Sequence, residues 1–349
     1  MLTVFYNPTR WNSLPIVLHP MIVSGRRDIQ FISDFKRLSR SHGEHLLIVA
    51  WLRDPAAREY LREQYPDLRK RYSVIGYFDD GDSAEVGQRQ AEFIDYFDLW
   101  FKKQLHKDRS LYQYARPRTW DSAVSASQTP VFNDESIRKL RLGWNLLAGC
   151  YSLNPRQMKL ISMIDPRLGH TPARLAFLGL KAMASLYPSR DVQPADRSFN
   201  CHARFTADGY PEGIAAQRKR FLGLINEDPF FLTGRVDTKK YAQEMMQVRS
   251  VLSPFGYGEI CYRDAEAILS GALLIKPDMS HLETWPDCFI DRETYAAIEW
   301  DGGHLVEQAK ELTSDLDFVN RVTKSALCAL KDSYAEMAAR VDRLVNEFN

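Results

Sequence analysis

Residues 253–277 read Ser253-Pro-Phe-Gly-Tyr-Gly-Glu-Ile-Cys-Tyr-Arg-Asp-Ala-Glu-Ala-Ile-Leu-Ser-Gly-Ala-Leu-Leu-Ile-Lys-Pro277. The run Val248 to Leu252 before it suits a short buried strand. Pro254, Gly256 and Gly258 then break regular structure and let the backbone turn tightly. Ala265, Ile268 and Leu269 recur at helical spacing, and Gly271 stands where a helix C-terminal cap belongs. Ala272 to Ile275 forms a second apolar strand that Pro277 ends. The unit is strand, glycine loop, helix, strand, and a right-handed crossover makes the two strands parallel.

A glycine loop leading into a helix aims free backbone N–H groups and the positive end of the helix dipole at one spot, which suits a phosphate. Arg263 and Glu266 are three residues apart and share a helix face. An arginine there meets a diphosphate and a carboxylate accepts the hydroxyls of a ribose; a plain surface ion pair is the competing reading. Cys261 replaces the third glycine of a dinucleotide fingerprint, and no Gly-Lys-Ser/Thr follows. Both points turn the loop away from NAD sites and from NTPase phosphate loops.

The segment from Pro254 to Ile275 resembles the donor-binding segment of exostosin-like glycosyltransferases, with a glycine-rich turn, Arg-x-x-Glu-Ala, a small helix ending in Gly, and an apolar strand. The likeness runs over residues 200–285. It implies a GT-B-like α/β fold: two Rossmann-like domains facing across a cleft, with a C-terminal helical tail. It further implies Glu266 on the ribose of a nucleotide sugar, and Arg263 with the backbone around Tyr257 and Gly258 near the phosphates or base. Retaining GT-B enzymes often carry a second glutamate eight positions earlier. Gly258 stands there and Glu259 is one residue out of register, which leans the expectation towards inversion.

The 349 residues fit two domains, each with its own core. A net charge of +1 gives no sign of a nucleic-acid binder, and 45% apolar residues place the chain among globular proteins. Five cysteines without a Cys-x-x-Cys pair argue for reduced thiols rather than a disulfide framework or structural zinc. With no signal peptide and no long apolar run, the expected location is the cytoplasm, with peripheral attachment to the inner membrane face as an option.

The expected organisation is an acceptor-side α/β domain over 1–150, a helical connection over 151–195, a nucleotide-sugar domain over 196–310 and helices over 311–349. In the first domain, Leu46 to Trp51, Ser73 to Phe78 and Asp95 to Phe101 read as strands, Pro55 to Arg71 as an amphipathic helix, and Ile29 to Leu38 and Ile137 to Tyr151 as helical. Residues 116–134 read as irregular, and the stretch from Phe101 to Arg109 as a basic cluster whose default is a solvated helix face. Helices to Ile164 and from Pro172 to Tyr187 are expected to bridge the domains. The apolar face of the second, Leu175, Leu178, Met183 and Leu186, suits packing on a domain or on a membrane surface.

Ligands of open parallel sheets bind beyond the strands' carboxyl ends. The strand ending at Phe78 runs into Asp79-Asp80-Gly81-Asp82, so Asp80 and Asp82 are candidates for a catalytic base, against a metal-binding Asp-x-Asp or a solvated turn. His19 is an alternative base, its ordinary pKa lying near neutrality, against a structural imidazole. In the second domain, Arg204 at a strand end is expected near the diphosphate, and Lys239 is a further phosphate candidate. His281 and Glu283, on a loop after the last apolar strand, are placed by the resemblance near the donor sugar.

These readings converge on a metal-independent glycosyltransferase without a cofactor, its donor a nucleoside-diphosphate sugar and its acceptor an oligosaccharide or lipid-linked glycan. Surface polysaccharide synthesis (capsule or lipopolysaccharide) is the expected setting. The rival readings are a sugar-nucleotide epimerase or phosphorylase on the same fold, and a glycan-binding module without catalysis.

Overall fold

The computed structural model describes residues 1–6, 14–33, 35–49, 52, 55–114, 130–149 and 193–349. The bridging helices expected over 151–195 lie outside the described residues apart from a 3-10 turn, Pro194–Asp196.

Two parallel sheets organise the chain. The first is built from β1 (Leu2–Tyr6), β2 (Ile29–Ile32), β3 (His45–Val49), β4 (Val74–Asp79), β5 (Leu99–Lys102) and β7 (Leu140–Leu142). Its strand order is β2-β1-β3-β4-β5-β7. The second comprises β8 (Phe199–His202), β9 (Phe231–Leu232), β10 (Val248–Leu252), β11 (Leu273–Pro277) and β13 (Ala296–Ile298). Its order is β13-β11-β10-β8-β9. Every pairing within the two sheets is parallel.

Strands buried on both faces read as unbroken apolar runs, and neighbouring residues feed opposite cores. Phe5, Ile48 and Tyr77 enter one core of the first sheet, whereas Val4, Leu47 and Phe78 enter the other. In the second sheet Val251 and Leu274 enter one core, Leu252 and Leu273 the other. These are two Rossmann-like layers, the α/β plan expected from the sequence.

A strand ladder and the C-terminal helices both tie the layers together. A short antiparallel ladder pairs β6 (Gln104–His106), which follows β5, with β12 (Leu282–Thr284), which follows β11. The C-terminal helices also cross over. Phe318, Val319 and Val322 of Leu316–Ala335 pack on the second sheet, but Met337, Val341 and Leu344 of Met337–Asn346 join a core of the first. The tail is therefore shared between the layers. Among the described residues, no helix is long and apolar enough to cross a membrane.

Three expectations are corrected. Ile29 to Leu38 is a strand followed by a short helix, Phe35–Leu38, because Ile29, Phe31 and Ile32 bury themselves beside β1. Residues 137–149 are not one helix: Asp134–Arg138 ends before β7, which pairs with β5, and a 3-10 turn follows at Leu146–Gly149. The strand expected from Asp95 begins only at Leu99, after a 3-10 turn at Ile94–Tyr96.

Candidate functional site

β10, the loop Ser253–Cys261, the helix Tyr262–Ser270 and β11 form the expected crossover. Gly271 closes the helix in the left-handed region at φ 70°, a conformation that favours glycine. Beneath the loop lies a buried polar network that the sequence reading missed. Asp264 accepts from Ser253 Oγ at 2.5 Å and from the Cys261 N–H at 2.9 Å. Lys276 Nζ stands 3.3 Å from the Asp264 carboxylate and donates to the Glu259 carbonyl at 2.8 Å; both side chains are fully buried. Arg218, within the helix Glu212–Ile225, is buried too. It donates to the carbonyls of Phe255 and Thr206 at 3.0 Å each, with Tyr210 4.1 Å across its face. The one local signal was Asp264 at the third helical position, where a capping carboxylate belongs.

Arg263 donates to the Arg204 carbonyl at 2.6 Å and sits 5.8 Å from the Phe205 ring. Glu266 is half-buried and accepts from the Tyr241 hydroxyl at 2.7 Å. Arg204, just past β8, holds the Glu244 carboxylate through Nε and Nη2 and also donates to the Thr233 carbonyl. His202 lies under this group, with Nε2 3.7 Å from Glu244 and its ring edge-on to Tyr241 at 4.8 Å. Burial, and then the charges of Arg263 and Arg204, pull its pKa down to about 3. The structure thus brings Arg204, Arg263 and Glu266 into one cluster, and adds His202, Tyr241 and Glu244. Lys239 is exposed in the first turn of Thr238–Met245. Tyr257 is 53% exposed; its hydroxyl donates to the Gly209 carbonyl and its ring lies 5.0 Å from Tyr210.

The first layer meets the glycine loop through the residues after β4. Asp79 is sealed in a 2.8 Å ion pair with Lys102, and both are 1% exposed. Asp80 is buried, while Asp82 is half-exposed and pairs with Lys103 at 3.1 Å. The basic cluster expected on a solvated helix therefore includes a pair of buried lysines, Lys102 at the end of β5 and Lys103 just after it. A β-carbon on Gly258 would stand 1.6 Å from the Asp82 carbonyl oxygen. Glu259 is fully buried and accepts from Ser83 Oγ at 2.9 Å, the Ala84 N–H at 3.0 Å and Gln104 Nε2 at 2.7 Å. Burial pushes its carboxyl above the ordinary range, against those hydrogen bonds.

The remaining candidates are His281, Glu283 and His19. His281 lies just before β12; its carbonyl accepts from Lys107 and its ring is 6.1 Å from His106. Burial, then the neighbouring His106, lowers its pKa to about 4. Glu283 is on β12 and is bound by Arg109 of the first layer. His19 is 5% exposed within the helix Leu14–Val23, and burial lowers it to about 4. Among the described residues, no three His, Cys, Asp or Glu side chains are grouped to hold a metal ion.

The chain matches no protein-family profile and no curated protein. Similar solved structures include a glycosyltransferase from Rickettsia africae, 9% identical, covering 99% of this chain and 98% of that one with a TM-score of 0.48. Anabaena HepE in complex with UDP and glucose is 11% identical over 99% and 100% of the two chains, at 0.46. UDP-GlcNAc 2-epimerase from Neisseria meningitidis, bound to UDP-GlcNAc, is 8% identical over 99% of each, at 0.41. Likenesses of this size transfer neither an activity nor a site residue to the chain.

Proposed function

We propose that the chain is a GT-B-type glycosyltransferase that moves a sugar from a nucleoside-diphosphate sugar to an oligosaccharide or lipid-linked glycan. The observation that carries this reading is the cluster at the carboxyl end of the second sheet. Arg263 and Glu266 share one helix face behind a glycine loop, and Arg204 comes to them from the end of β8.

The roles follow from charge. Glu266, aligned by the Tyr241 hydroxyl, accepts the two hydroxyls of the ribose. Arg263, Arg204 and the N-terminus of Tyr262–Ser270 face the diphosphate. A base from the first layer (Asp80, Asp82 or His19) takes the acceptor hydroxyl's proton, and the oxygen attacks the anomeric carbon. The bond to the diphosphate breaks, and the two guanidiniums stabilise the charge that collects on it. This direct displacement inverts the anomeric centre and needs no metal. Surface polysaccharide synthesis on the cytoplasmic side is the proposed setting.

The test is a thermal-shift panel of UDP, GDP, CMP and ADP on the wild type and on Glu266→Ala. The reading expects one diphosphate to stabilise the wild type and not the variant. Equal shifts in both proteins, or stabilisation by a glycan and by no nucleotide, would overturn it. Once a donor is known, transfer is expected to survive EDTA.

A further inference from the structure

Lys102 ends β5 and Lys103 is the residue that follows it. Each ammonium meets an aspartate at the end of β4 or just after it, but the pairs differ. Lys102 and Asp79 are both 1% exposed, a sealed pair. In the second pair the Lys103 side chain is 2% exposed and that of Asp82 is 50% exposed. The cation is buried and its anion faces solvent.

The second pair also abuts the glycine loop. The Asp82 carbonyl oxygen packs on the bare α-carbon of Gly258, and Gln104 Nε2 donates to the same carbonyl. Asp80 is a second carboxylate acting on Lys103, and Tyr262, the first residue of the helix, lies within its electrostatic reach. Burial opposes the lysine's charge, yet Asp82 and Asp80 together hold its proton more firmly than usual.

We propose that Lys103 is a phosphate-binding residue supplied by the first domain, and that the Asp82 carboxylate occupies the phosphate's place until a ligand displaces it. The proposal rests on the nucleotide-sugar reading and deepens it. A buried ammonium cannot stand without an anion, so a site emptied between turnovers needs a surrogate. Asp82 serves as one, because its carboxylate is already half in water and loses little on swinging out. Asp80 stays behind and keeps the lysine charged. The exchange replaces one oxyanion by another on the same ammonium, beside the helix N-terminus that favours phosphate.

The test is calorimetric titration of the full chain with inorganic pyrophosphate and with UDP, GDP and ADP. Wild type is compared with Asp82→Asn, Lys103→Met and Glu266→Ala, their folding checked by circular dichroism. Removing the competing carboxylate in Asp82→Asn is expected to tighten pyrophosphate about tenfold, and Lys103→Met to weaken it about tenfold or more, the worth of one charge-assisted hydrogen bond. Because Asp82 is half-exposed, its variant is an independent arm should Lys103→Met fail to fold. Unchanged binding in Lys103→Met, or weaker binding in Asp82→Asn, overturns the proposal. If a nucleotide binds the wild type and is lost in Glu266→Ala yet binds Lys103→Met normally, this proposal alone falls. If no phosphate compound binds either the wild type or Asp82→Asn, the nucleotide reading falls with it.

Discussion

Gly258 and Asp82 touch backbone to backbone: a β-carbon on the glycine would lie 1.6 Å from the aspartate's carbonyl oxygen and 2.2 Å from its carbonyl carbon. The missing side chain at Gly258 is what lets the first layer approach the glycine loop this closely. Gly258→Ala is therefore expected to push Asp82 to Ala84 away and to free Glu259 from its donors. The expected cost is about 3 kcal/mol or more, since overpacking against backbone finds no flexible neighbour to yield. Denaturant unfolding measures it, and faster amide exchange at Ser83 and Ala84 locates it.

Glu259 gives this contact a pH dependence. Its carboxyl is raised above the ordinary range, so the folded chain holds the proton more tightly than the unfolded chain. The sign follows: its contribution is fully present below the unfolded carboxylate value and is lost as pH rises through the raised folded value. Glu259→Gln removes the titration. It also sets an amide N–H₂ against that of Gln104, which donates to the carboxylate at 2.7 Å. The wild type is expected to be the more stable protein, by a margin that shrinks as pH rises from 4 towards 8, read from urea midpoints.

The buried pair under the glycine loop is a harsher case. Lys276→Met leaves Asp264 as an unpaired carboxylate at zero exposure. Removing one partner of such a pair costs about 3–5 kcal/mol. The double variant Lys276→Met/Asp264→Asn is expected to lose less than the two single losses added together, and a double-mutant cycle by chemical denaturation measures the difference.

Acid acts through the imidazoles. His19 falls from its ordinary 6.5 to about 4 through burial. It is neutral in the fold and takes a proton on unfolding, so stability is lost as pH drops from about 6.5 towards 4, by about 3 kcal/mol for this one side chain. His281, at about 4, and His202, at about 3, act in the same direction. His19→Leu is expected to flatten the acid limb of the stability curve, which melting temperatures taken across pH 4–7 would show.

What the sequence disclosed and what it withheld divide along contact distance. The crossover around Gly271 was legible because its signals are local: a strand's apolar run, glycine punctuation, helical spacing and a left-handed cap within 30 residues. β2 was misread because Ile29, Phe31 and Ile32 serve either periodicity, and only pairing with β1 decides between them. Lys102 and Lys103 read as surface charge because Asp79 and Asp82, 23 and 21 residues away, make their burial tolerable. Glu259 looked like a near miss for a second donor glutamate. Its partners, Ser83, Ala84 and Gln104, lie 155 to 176 residues away in the other layer, beyond any local pattern. In the arginine cluster, Arg263 and Glu266 stood out by their spacing, whereas Tyr241 and Glu244 carried no local mark.

Tyr241 offers the finest probe of that cluster. Its hydroxyl donates to Glu266 at 2.7 Å, and its ring receives the edge-on contact of His202. Tyr241→Phe keeps the ring and deletes only the hydroxyl. The Glu266 carboxylate then loses one charge-assisted hydrogen bond, of about 1.5–3 kcal/mol. If Glu266 binds a ribose, Tyr241→Phe is expected to weaken a nucleoside diphosphate about threefold to tenfold, on the order of 1 kcal/mol. Glu266→Ala is expected to weaken it much further, and neither change is expected to alter pyrophosphate affinity, because pyrophosphate has no ribose. Calorimetry with the matched pair of ligands separates the outcomes. Equal losses for both ligands would mean that the two side chains shape the phosphate site rather than the ribose site, and would remove Glu266 from the role proposed for it.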